Sequence, residues 1–259
     1  MPESSEIQIT VNELNKTLKG AELLKILSSI HGRYKGKRFN IEPTKIKSIG
    51  KKGKFIYWEL ENGKYIFNTL GLSGHWSLTQ QPNTSLKIVY RKNGKEHELF
   101  LIDQLHYATL SIENDLEKKL KSIGPDIADL TFELFKSQLD KYPNKKIAEV
   151  LLNQKIISGI GNYIRAEALY IAGISPYRKI KDINDGEMEE LYKAIKMIIK
   201  KAYQKGGASI TFYKNLKGNP GTFENLFMVY GKKEDNKGNP VKADKMDDRT
   251  IYWVPNIQK

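Results

Sequence analysis

The stretch LLNQKIISGIGNYIRAEALYIAGISP, residues 151–176, decides how this 259-residue chain is read. Apolar residues recur at helical spacing, SGIGN interrupts them, and from Asn162 the helical spacing resumes. The pattern is helix, glycine turn, helix. Gly159 and Gly161 permit tight backbone geometry. The first N–H groups of the second helix have no intrahelical acceptor and lie at the positive end of its dipole. The turn therefore offers a phosphate site, with the Asn162 amide as a further donor. A plain helical hairpin would carry the same pattern, so the rest of the chain has to separate the two.

Upstream, a charge-rich stretch from about Asn114 to Asp129 marks a boundary. From about residue 23 to 112 the chain consists of short β-rich runs, KFIYWEL, KYIFNTL, LKIVYR and ELFLI, divided by Gly, Asn and Pro. Antiparallel strands packed as a sandwich fit these runs. Before them, Ile7, Val11, Leu14 and Leu18 recur at helical intervals and Gly20 follows as a stop, so a first helix begins close to Pro2. Downstream, amphipathic helical segments reach about residue 205. The tail from Gly206 is rich in Gly, Asn and Lys, and its strand-like runs LFMVYG and RTIYWVP are expected to pair as a hairpin. The fold class read from this order is α+β.

Composition narrows the chemistry. Lys and Arg total 43 against 30 acidic residues, a net charge of +13, which favours a polyanionic partner, nucleic acid first. A membrane surface would also attract that charge. However, no apolar run approaches the roughly 20 residues needed to span a bilayer, and MPESSEIQ lacks the regions of a signal peptide, so an intracellular protein is expected. With no cysteine, disulfides, thiolate nucleophiles and cysteine-bound zinc or iron–sulfur centres are excluded. His31, His75, His97 and His106 show no metal-ligand spacing, and neither metal nor cofactor is expected.

Pro2 by itself is an ordinary first-turn proline, and Glu3 beside it suits a helix start. If Met1 is removed, however, Pro2 becomes a secondary amine. An α-amino group titrates near 8, against about 10.4 for lysine, so far more of it is unprotonated near neutrality. It is then a competent nucleophile, and an adjacent carboxyl group can shuttle protons.

These residues together resemble the formamidopyrimidine-DNA glycosylase and endonuclease VIII family. The ordered matches are the N-terminal MPE-x-x-E, GKF at Lys54, LGLSG at residues 70–74, the SGIGN turn and the tail. The resemblance implies three parts preceded by a catalytic N-terminal helix. A sandwich domain spans 1–113, with a linker at 114–128. A helix-two-turn-helix domain with a lesion-cover loop covers 129–222, and a finger hairpin 223–259. It implies a bifunctional DNA glycosylase and abasic-site lyase acting on damaged DNA, duplex or single-stranded, as a monomer. Pro2 falls on the family's nucleophile, Glu3 on its catalytic glutamate, Lys54 on its phosphate-side lysine and Arg249, beside Asp247 and Asp248, on its finger-tip arginine.

The DNA-binding set implied by the resemblance is Glu6, Leu72, Leu105, Tyr107 and Asn162. Val254 and Ile257 stand where the family usually has zinc-binding cysteines, so the finger resembles the zincless subgroup. Two departures stand out. Ser4-Ser5 replaces the usual pair before Glu6, and Leu72, Leu105 and Tyr107 occupy the void-filling positions without the customary arginine, so discrimination of the opposite base is expected to be weak. A non-catalytic DNA-binding relic would keep the turn and the finger; a ribosomal-type RNA binder would need neither Pro2 nor Arg249.

Overall fold

The computed structural model describes residues 2–29, 32–210, 212–246 and 248–259; the expectations concerning Met1, His31 and Asp247 lie outside them. Helix α1 (Ser4–Leu18) buries Ile7, Val11, Leu14 and Leu18, the stripe that its spacing predicts, and ends at Gly20 with φ +76°. Eight strands follow: β1 (Glu22–Ser28), β2 (Thr44–Lys52), β3 (Phe55–Leu60), β4 (Tyr65–Thr69), β5 (His75–Ser77), β6 (Thr84–Lys92), β7 (Lys95–Ile102) and β8 (Thr109–Glu113).

All eight are antiparallel in the order β5-β7-β6-β1-β2-β3-β4-β8. The chain of strands turns a corner in the middle, where β1 meets β2 at only Glu22↔Lys45 and Leu23↔Thr44. The two halves therefore face each other as a sandwich. Trp58 of β3 and Trp76 of β5 lie 5.4 Å apart between the halves, and the Trp76 indole N–H donates to Asn68 of β4 at 3.0 Å. Buried residues alternate along the inner strands, as a half-buried pleat requires, and α1 joins this core.

Helix α2 (Leu116–Lys121) buries no residue, and a second core gathers the four helices after it: α3 (Phe132–Leu139), α4 (Ile147–Leu152), α5 (Asn162–Ile171) and α6 (Asp185–Gln204). Helix α6 starts at an Asn184–Glu187 capping box and buries Met188, Leu191, Ile195, Ile198 and Ala202. The terminal hairpin pairs β9 (Lys242–Met246) with β10 (Arg249–Trp253), and its Met246 and Ile251, with Val254, sit in the helical core rather than in a core of their own. The absence of cysteine is thus matched by apolar anchoring.

The expected pairing of LFMVYG with RTIYWVP is not what forms. KADKM pairs with RTIYW, while residues 226–231 run without a strand partner. The reason lies on α5. The buried Glu167 carboxylate accepts the backbone N–H groups of Met228, Val229 and Tyr230 at 2.8, 2.9 and 2.7 Å. A carboxylate takes the donors that a neighbouring strand would have used.

Candidate active site

The start of α5 is where the sequence and the geometry diverge most usefully. Its first N–H groups were the expected phosphate site, yet Tyr163 N donates to Glu3 Oε1 at 3.0 Å and Ile164 N to Glu3 Oε2 at 3.2 Å. The helix terminus holds the Glu3 carboxylate. Gly161 makes room for it: a β-carbon there would stand 2.1 Å from Glu3 Cδ. Gly159, with φ +101°, passes its carbonyl to Ser4 N at 3.1 Å. The glycines of SGIGN are needed because the first residues of α1 lie against them.

Glu6, expected in the DNA-binding set, is enclosed by protein and 1% exposed. It accepts Glu3 N at 2.8 Å, the Tyr163 hydroxyl at 3.1 Å and Ala208 N at 2.8 Å. It is a prop between the first turn of α1 and the segment after α6. Burial pushes its carboxyl up to about 7, against the opposing pull of the Ala208 and Glu3 N–H groups. The Ser4-Ser5 departure is absorbed inside the molecule: both serines are buried, and Ser5 Oγ donates to Ile199 O of α6 at 3.0 Å.

Lys54 lies in the β2–β3 turn rather than in the strand proper. Asp126 docks that turn onto the glycine turn, accepting Gly53 N at 2.8 Å and Lys51 Nζ at 2.7 Å. Burial lowers the Lys54 ammonium, Glu3 raises it and Arg249 lowers it further. Glu3 moves the opposite way: burial raises its carboxyl, while Lys54 and the two α5 N–H groups pull it down. The pair thus shares its protons more evenly than an exposed carboxylate and ammonium would.

A cavity of about 460 Å³ collects Glu3, Lys54, Leu72, Asn162 and Arg249, the last from the start of β10. Pro2 lines an adjoining cavity of about 280 Å³, which Lys54 and Gln154 also line. The predicted catalytic set therefore surrounds two contiguous spaces. Asn162 is turned aside: its amide Nδ2 donates to Thr250 O of β10 at 2.8 Å. Leu105 and Tyr107 lie apart from the carboxyl group, exposed by 44% and 56% on the 103–108 loop. That loop is braced against residues 70–74, where Ser73 Oγ donates to Asp103 Oδ1 at 2.5 Å and accepts Leu105 N at 2.9 Å.

Asp126, Tyr163, Arg165 and Glu167 were not anticipated as parts of this construction. Asp126 and Tyr163 give no local signal. Arg165 and Glu167 do, because they are the two charged residues of a helix that is otherwise mostly apolar, and such groups are buried only with partners.

Comparison with known proteins agrees along the whole chain. Residues 1–110 match the formamidopyrimidine-DNA glycosylase N-terminal domain, 122–214 its H2TH domain and 215–259 its C-terminal domain. The formamidopyrimidine-DNA glycosylase of Carboxydothermus hydrogenoformans is 31% identical over 219 residues, 80% of this chain and 82% of its own. That of Listeria monocytogenes is 28% identical over 83% of this chain and 82% of its own. Among solved structures, the MutM (Fpg) protein of Thermus thermophilus superposes with a TM-score of 0.87 at 25% identity, covering 99% of this chain and 98% of its own. The Lactococcus lactis Fpg, solved with DNA containing an abasic site, shares the fold with a TM-score of 0.84 at 24% identity, with both chains fully covered. With all three parts matched in order, the chain belongs to the formamidopyrimidine-DNA glycosylase family.

Proposed function

We propose that this protein is a bifunctional DNA glycosylase and abasic-site lyase of base excision repair, working as a monomer on oxidised bases. The observation that carries the reading is the convergence of Pro2, Glu3, Lys54 and Arg249 on two adjoining cavities. In the chain that begins at Pro2, the amine lone pair attacks the sugar carbon C1′. The bond to the damaged base breaks and the base leaves with its electron pair. Pro2 loses its proton, and as the C1′–O4′ bond opens, an iminium forms between the proline nitrogen and C1′.

Glu3 supplies the proton that O4′ needs. Its raised carboxyl holds that proton further toward neutrality than an exposed glutamate would. Removal of a C2′ proton then expels the 3′ phosphate and removal of a C4′ proton the 5′ phosphate, leaving a one-nucleotide gap. Lys54, with its lowered ammonium, suits proton exchange at this stage. The Arg249 guanidinium offers a fork of donors to phosphate. The damaged nucleotide has to leave the stack to reach Pro2. The side chains of Leu72 and Leu105 and the ring of Tyr107 offer apolar surface suited to the space it vacates.

Borohydride reduction of the protein mixed with abasic-site DNA tests this, because only the iminium becomes a permanent covalent adduct. A protein–DNA adduct through residue 2 is expected. No adduct from chains confirmed by mass to begin at Pro2 would refute lyase chemistry and favour a protein that only binds DNA.

A further inference from the structure

Arg165 lies on α5 three residues after Asn162 and is 1% exposed. Its guanidinium reaches three elements. Nη1 donates to Ala148 O of α4 at 3.2 Å; Nη2 donates to Asn162 Oδ1 at 2.6 Å and to Thr250 O of β10 at 3.5 Å. Asn162 directs its own Nδ2 onto that same Thr250 carbonyl at 2.8 Å. One backbone carbonyl of the hairpin is thus gripped by two side chains of α5, and the second of these is held in place by the first.

The position of that carbonyl matters. Thr250 is followed by Ile251, which is fully buried in the helical core, and preceded by Arg249, which lines the cavity with Glu3 and Lys54. Ile251 anchors one side of the carbonyl, and Arg249 hangs from the other. Through this carbonyl the start of β10 is held from the α5 side. A planar fork serves α4, Asn162 and β10 from two nitrogens held apart, whereas a lysine would bring all its donors from a single nitrogen.

We propose that Arg165 is a positioning residue for Arg249: with Asn162 it clamps the Thr250 carbonyl and so fixes the start of β10, which aims Arg249 into the Glu3–Lys54 cavity. This rests on the reading of Arg249 as a phosphate-side group. Arg165 is also a second guanidinium in the wall of that cavity, and it adds to the lowering of the Lys54 ammonium after burial and Arg249.

The test is a double-mutant cycle on borohydride trapping at sub-saturating abasic-site duplex, with the parent, Arg165→Met, Arg249→Ala and the double variant. Each single change is expected to slow trapping about tenfold or more, and the double variant to fall within about twofold of Arg249→Ala, because two residues acting as a unit are non-additive. If Arg165→Met slows the Arg249→Ala protein as much as it slows the parent, the role is structural only and the proposal fails. If Arg249→Ala is as fast as the parent, the reading of Arg249 itself falls.

Should Arg165→Met not fold, Arg165→Lys with amide exchange at residues 248–252 serves instead. Faster exchange there with unchanged exchange in α6 is expected, together with slower trapping. Unchanged exchange and unchanged trapping would overturn the proposal.

Discussion

Glu6 shows how far a single side chain can depart from its surface appearance in a sequence. It is enclosed, tied to Glu3 N, the Tyr163 hydroxyl and Ala208 N, and pushed up to about 7 by burial. An unfolded glutamate titrates near 4.5. As pH rises through 4.5 the unfolded chain gives up this proton while the folded protein keeps it, so stability falls with rising pH until about 7 and then levels. The full span is about 3 kcal/mol, at 1.36 kcal/mol per unit. Urea unfolding of Glu6→Gln at pH 4.5, 6 and 8 should give a shallower decline than the parent; equal slopes would remove Glu6 from the account. Motif order singles out Pro2, Glu3, Lys54 and Arg249, which line the two adjoining cavities. Enclosure of Glu6 was not, because its donor Ala208 lies 202 residues away and carries no signal of its own.

At the scale of elements, periodicity served well where one face meets one core, as in α1, α6 and β3. It failed at LFMVYG, where apolar alternation is used to fill the helical core and the backbone donors go to a carboxylate. Glu167 is therefore the element that a strand would otherwise have been. Replacing it by glutamine puts an amide N–H₂ against at least one of the three backbone donors, and a buried group left without its partner costs about 1–3 kcal/mol. Denaturant unfolding of Glu167→Gln should show that loss, with faster amide exchange confined first to residues 228–230. A variant as stable as the parent would mean that the segment is held by Phe227 and Val229 alone. Glycine spacing likewise marked the turn before α5 correctly while hiding its occupant: the same N–H groups suit a phosphate or a carboxylate, and only the folded chain brings Glu3 to them.

Over the whole molecule, the cationic excess and the placement of side chains divide the labour of gripping DNA. Glu3, Lys54 and Arg249 gather around one cavity, to which the proposed function assigns the reacting strand. The 70–74 and 103–108 loops present Leu72, Leu105 and Tyr107 and contain no arginine. Leucine side chains fill space without reading hydrogen-bonding edges and a tyrosine offers a single hydroxyl, whereas a bidentate guanidinium contact is worth about 1–3 kcal/mol of discrimination between bases. One lesion placed opposite each of the four bases should accordingly be removed at similar rates, with single-stranded substrate also processed. A steep preference for one opposite base would show that another group does the reading.

The placement of Glu3 has a further meaning. Its helix belongs to the sandwich core, and both of its peptide donors belong to the helical core, so the proposed reacting centre lies on the seam between the two cores. Parting them by about 1 Å would trade fixed donors for water and misalign the acid, a displacement that costs an enzyme on the order of a hundredfold. Neither half owns the chemistry. On the proposed mechanism, the acid keeps its two peptide donors only while both cores stay docked around it.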